Sequence, residues 1–195
     1  MQKSSFVIAI QTALLATSLL AAQSVERNSK VLLKEIRFTG DLGLPIGELR
    51  EYTEYLNGHS LGRAKLLEEA PSVAAHGLRH RGYLKAQVTP QLHSLKRPVN
   101  SKDAEVALEL TIKAGRQYRL KDMTFKGLST ELPQAKLREA FRIKSGDIAD
   151  AEEIGIGIAN LETLFRQKGQ DVFVVPDMSF DDSASTVSLQ FDIEK

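Results

Sequence analysis

His76 and His80 stand four residues apart, a spacing that on a helix lets both imidazoles reach one metal ion. The surrounding sequence places no third ligand, and Arg79 and Arg81 flank the pair, so the reading is a solvated helix face. His59 and His93 have no paired serine and aspartate in a recognisable motif, which leaves a hydrolytic triad without support. Gly155-Ile156-Gly157 lacks the lysine and hydroxyl that end a phosphate loop, and its periodicity is helical; close packing of that helix is the reading. The basic run Arg79-His80-Arg81 suits a helix C-terminus, where cations complement the dipole. No catalytic residue, cofactor, metal or small-molecule substrate is expected.

A different surface carries more promise. Val172 and Val174 alternate with Phe173 and Val175. If the valines at 172 and 174 face a core, Phe173 and Val175 face outward. The matching positions earlier in the chain are Gln87 and Thr89. An exposed aromatic on an edge strand suits main-chain pairing with a second polypeptide. The candidate partner-binding residues are therefore Phe173, Val175 and Asp171 in one strand, and Lys85, Gln87 and Thr89 in the other.

These strands belong to a repeat. Lys34–Gly40 (KEIRFTG) recurs as Lys121–Gly127 (KDMTFKG), and Leu49-Arg50-Glu51 as Leu137-Arg138-Glu139. Asn57-Gly58 matches Ser145-Gly146, Arg81-Gly82 matches Lys168-Gly169, and Pro90 matches Pro176. The order is kept throughout, and the first copy's extra residues fall near Leu95–Lys102, where a loop absorbs them.

Each copy reads β-α-α-β-β. Ile36 and Phe38 share one face of the first strand, as do Met123 and Phe125. Leu49, Tyr52 and Leu56 mark a short helix, matched by Leu137, Ala140 and Phe141, and Gly58 and Gly146 end these segments. In the second copy Asp150 caps a helix striped by Ile154, Ile158, Leu161 and Phe165. In the first copy Pro71 interrupts the corresponding stretch, so that helix is expected to kink or to begin near Ala70. Leu84, Ala86, Val88 and Leu92 alternate with Lys85, Gln87, Thr89 and Gln91 in a strand. Val106, Leu108, Leu110 and Ile112 mark the next. One apolar face per sheet calls for helices on one side and solvent on the other.

The joint from Thr111 to Gly127 (TIKAGRQYRLKDMTFKG) resembles the link between successive POTRA, or polypeptide-transport-associated, domains. Ser145-Gly146-Asp147, followed by a helix ending in Lys168-Gly169, fits the same pattern. The resemblance covers roughly residues 31–195. It implies an α+β fold of two tandem modules, 31–116 and 117–195. Each would be a three-stranded mixed sheet with two helices on one face. It also implies the strand order first-third-second, which leaves the second strand at an edge; Pro90 and Pro176 agree, since proline in a sheet is confined to edges, ends and bulges. The implied function is a periplasmic polypeptide-binding scaffold for outer-membrane protein assembly or transport. Its partners would be unfolded or extended polypeptide segments and an outer-membrane β-barrel protein on a separate chain. The sequence reaches Lys195 directly after the second module; a stand-alone pair and a shortened relative of a barrel protein both stay open.

A net charge of +1 argues against a dedicated nucleic-acid binder, and the absence of cysteine excludes disulfides, thiolate sites and a lipoprotein anchor. Lys3, the apolar run Phe6–Ala22 and the polar stretch 23–30 have the layout of a signal peptide and linker. The run is short of the roughly 20 residues of a membrane span. Export to the periplasm, beside the outer membrane, is the expectation. The alternative is an inner-membrane protein that keeps residues 6–22 as its anchor.

Overall fold

The computed structural model describes residues 29–95, 103–127 and 132–195. The leader reading (1–22), most of the linker reading (23–30) and all but Leu95 of the Leu95–Lys102 insertion lie outside them. Two sheets are formed, each with its own core.

In the first module, β1 (Lys30–Asp41) lies parallel to β4 (Ala104–Lys113), and β3 (Gln87–Ser94) runs antiparallel to β4. In the second, β5 (Arg119–Gly127) lies parallel to β7 (Thr186–Glu194), with β6 (Phe173–Asp181) antiparallel on the far side. Both first strands carry a bulge, between Leu33 and Glu35 and between Leu120 and Asp122. The extra residue switches the inward set from Val31 and Leu33 to Ile36 and Phe38, and from Leu120 to Met123 and Phe125.

The expected three-stranded first sheet has a fourth member. β2 (Ser60–Gly62) pairs antiparallel with β1 at Lys30–Leu32, giving the order β2-β1-β4-β3 against β5-β7-β6. Three residues with one apolar side chain carry no alternation to read.

α1 (Ile46–Thr53) continues into a 3₁₀ turn at Glu54–Leu56 and buries Leu49 and Leu56. α2 spans Arg63–His80 with Pro71 inside it, so the helix does not begin near Ala70. Leu66, Ala70, Ala74 and Leu78 are fully buried at four-residue steps. That continuous buried stripe outweighs the hydrogen bond Pro71 cannot donate. In the second module α3 is a short Gln134–Arg138. α4 (Ala151–Arg166) starts at Asp150, whose Oδ1 accepts from the backbone N–H of Glu152 and Glu153 at 2.8 and 3.3 Å. It buries Ile154, Leu161 and Phe165 against a stack of Phe125, Phe141 and Phe191.

Candidate functional site

Two modules of this kind present four outer strands, and their main-chain groups have different fates. β1 is closed along its first residues by β2, and Leu33 exchanges bonds with His59 and Gly58 at 3.1 and 2.8 Å. β5 is closed by side chains and a loop. Leu120 exchanges main-chain bonds with Asp147 and Gly146 at 2.9 and 2.8 Å. Arg138 Nη2 donates to the Met123 carbonyl at 2.5 Å, Gln134 Nε2 to that of Phe125 at 3.0 Å, and the Ser145 hydroxyl to that of Lys121. β3 and β6 are the terminal strands of their sheets and have no strand beyond them among the described residues.

On β6 the facing follows the alternation. Phe173 is 70% and Val175 49% exposed, while Val172 and Val174 are 8% and 7% exposed. Their neighbours across β7 are Glu194 and Asp192. Val172→Ala is expected to lower stability by about 1–2 kcal/mol through lost burial, and Phe173→Ala to leave the melting temperature unchanged. Parallel thermal melts check this; a larger loss for Phe173→Ala would mean that its ring is packed.

The edge itself has a finer pattern. The Val174 N–H points away from β7 and donates to Glu162 Oε1 of α4 at 3.3 Å. In an antiparallel strand every second residue directs its main-chain groups the same way, so Pro176, Met178 and Phe180 also point outward. Pro176 has no N–H. The free outward donors of β6 are therefore those of Met178 and Phe180.

Gln87 and Thr89 lie exposed on β3, opposite Lys113 and Thr111. Asp171 is exposed just before β6, with Arg166 Nε 3.8 Å away. Lys85 is elsewhere. β3 begins at Gln87, so Leu84 and Lys85 fall in the preceding turn rather than in the strand, and Leu84 packs against the core of the second module, not the first.

Lys85 instead helps to hold the modules together. Its Nζ donates to Asp182 Oδ1 at 2.7 Å and lies 4.5 Å from the Phe180 ring centroid. Tyr118 packs edge-on against Phe180 at 4.9 Å, and its hydroxyl donates to the same carboxylate oxygen at 2.5 Å. Tyr118 N–H bonds Gly82 O at 2.9 Å, and Gln117 Nε2 donates to Arg81 O at 2.8 Å. Gly82 adopts φ 81° and lies against Ile148 and the Tyr118 carbonyl, leaving no room for a side chain. The end of α2 joins in. His80 Nδ1 is 2.9 Å from Glu152 Oε2, and its Nε2 is 2.8 Å from His76 Nε2. His80 thus belongs to the joint while His76 stays exposed beside it, and no group of three or more metal-ligating side chains occurs among the described residues.

Hydrogen bonds from Lys85 and then from Tyr118 hold the Asp182 carboxyl below the ordinary aspartate value of 3.8. The same Asp182 bond raises Lys85 above 10.5. A lowered carboxyl contributes above its unfolded value and loses that contribution as pH falls through the folded one; a raised amine contributes below its unfolded value and loses it as pH rises through the folded one. The contribution of the Lys85–Asp182–Tyr118 contacts to the joint, followed by residual dipolar couplings in a His80→Gln background, is expected to stay constant from about pH 5 to about pH 9 and to weaken only outside that range.

The chain is thus two tandem α+β modules, each with a parallel pair, an antiparallel edge strand and helices on one face. Residues 118–195 match the POTRA family model, described as "Surface antigen variable number repeat". POTRA domains 3–5 of BamA from Haemophilus influenzae superpose with a TM-score of 0.65 at 19% identity, over 85% of this chain and 61% of that one. BamA from Haemophilus ducreyi lacking POTRA domains 1–3 gives 0.64 at 20% identity, over 84% and 29%. POTRA domains 1–2 of Omp85 from Anabaena give 0.50 at 19% identity, over 84% and 96%. The chain thus spans less than two thirds of either BamA structure. No curated protein matches it in sequence. The family match falls on the second module, and the first module repeats its strand order and parallel pairing.

Proposed function

We propose that the chain is a periplasmic polypeptide-binding scaffold in outer-membrane protein assembly or transport, capturing extended segments at its sheet edges. The observation that carries this reading is the asymmetry of the four outer strands. Those at one end of each sheet are closed by β2 or by Arg138, Gln134 and Ser145, while β3 and β6 keep main-chain groups for a partner. Main-chain pairing supplies affinity for any extended segment, and the side chains beside it supply preference. The POTRA assignment and the likeness to BamA and Omp85 domains support the cellular setting. Among the described residues no helix is long and apolar enough to cross a membrane.

A photo-crosslinking residue at Ser179 on β6, compared with one at Thr124 on β5, tests the proposal in cell-envelope preparations. Adducts with other polypeptides are expected from Ser179. Adducts from Thr124 alone, or from neither, would overturn the reading.

A further inference from the structure

The solvent face of the second sheet is charged in one sense along the open edge. On β6 the outward residues are Phe173, Val175, Asp177, Ser179 and Asp181, and their partners on β7 are Glu194, Asp192, Gln190, Ser188 and Thr186. This strip holds four acids and no base. Asp181 is engaged by the turn that follows it, accepting from Ser183 and Ala184. Asp192 accepts from Gln190 at 3.2 Å. Asp177, Asp192 and Glu194 form no ion pair with the described residues. The nearest cation in register is Lys126, on β5 beyond Asp192. The equivalent strip of the first module is close to neutral. Gln87, Thr89, Gln91 and His93 face Lys113, Thr111, Glu109 and Ala107, and Glu109 is already met by Thr39 and His93.

Resting on the edge-binding reading above, we infer that β6 selects extended segments carrying basic residues at alternate positions followed or preceded by an apolar pair. The backbone and the side chains divide the work. Val174 N–H is taken by Glu162 and Pro176 offers none, so pairing centres on Met178 and Phe180. A strand added there sets its outward side chains beside Asp177, Ser179 and Asp181. Directly opposite and diagonal side chains in neighbouring strands reach one another, and opposite charges in those positions attract. Lysine or arginine therefore fits this half. Further along, where the outward main chain has no free N–H, Phe173 and Val175 offer apolar contact instead. An acidic segment would meet like charges, with Lys126 beside Asp192 and Lys121 near Asp181 the cations on the far side of the sheet.

The probes are synthetic peptides with lysines at alternate positions in one half and valines in the other, made in both orders, and the same peptides with glutamate for lysine. Binding to the full chain is followed by fluorescence anisotropy, and the contact by amide shifts of Met178 and Phe180. The lysine peptides in one order are expected to bind about tenfold more tightly than the glutamate peptides, from two or three cross-strand charge pairs. Asp177→Lys should reduce or reverse that preference, and added salt should narrow it. If lysine and glutamate peptides shift Met178 and Phe180 with equal affinity, edge binding stands and the charge preference is wrong. Shifts elsewhere, or no binding by any peptide, would overturn both.

Discussion

Tyr118→Ala is expected to destabilise the chain by about 3–5 kcal/mol, the range for truncating a buried aromatic, and to free the two modules from one another. The side chain is 2% exposed and belongs to the core of the second module. Its ring also carries Phe180 and lies 5.3 Å from Lys85 Nζ, so its loss leaves a cavity at the point where the modules meet. Tyr118→Phe keeps the ring and removes only the hydroxyl bond to Asp182, which retains Lys85. That change should cost about 1 kcal/mol, the net value of one hydrogen bond. Urea unfolding gives the stabilities, and residual dipolar couplings give the relative orientation of the modules. Equal effects of the two substitutions would mean that the ring does not hold the joint.

The second large effect is expected where α4 lies on the first helical segment of its module. A Cβ at Gly157 would fall inside the ring of Phe141. That ring cannot yield freely, because Phe125 and Phe191 pack against it at centroid distances of 5.8 and 4.7 Å. Gly157→Ala should therefore destabilise by about 2 kcal/mol, overpacking exceeding the gain in helix propensity. Gly155 sits on the same helix with nothing within 4 Å of its would-be Cβ. Gly155→Ala should stabilise by about 1 kcal/mol from propensity alone. The opposite signs, read from thermal melts, separate packing from propensity. The first module uses the same device, with Gly77 against the ring of Tyr52.

The Phe173/Val175 facing was legible because it rests on period-two patterning, and the repeat because matching residues recur in the same order; the order of the sheets' three main strands was implied by the POTRA resemblance, with Pro90 and Pro176 agreeing. Asp150 was legible as a cap because its side chain acts on its own helix. What escaped notice depends on contacts between distant segments. Leu84 and Lys85 continue the alternation of Ala86 and Val88, yet they turn toward Tyr118 and Asp182 of the other module, whose position no local pattern discloses. β2 is too short to show a period. Pro71 reads locally as a kink or as a helix start near Ala70, but a stripe of four buried residues continues the helix on both sides of it. Glu162 and Arg138 look like ordinary surface charges, and only the tertiary fold shows that one occupies an edge donor and the other a carbonyl. At the candidate site the alternation showed which side chains are exposed; it could not show which amides remain free.

On the proposed edge-binding reading, the joint also bears on how long a captured chain would stay. Tyr118, Lys85, Asp182 and Gly82 meet at the joint, and to the extent that they hold it, β3 and β6 keep one separation. A polypeptide long enough to touch both would, once held at one, meet the other at a fixed effective concentration rather than that of bulk solution. Release then requires both contacts to open together, so residence time can greatly exceed that of either edge while each stays individually weak. A polypeptide too short to bridge them gains nothing. The spacing of two weak strands, set by one tyrosine and one lysine, would act as a length filter on what the scaffold retains.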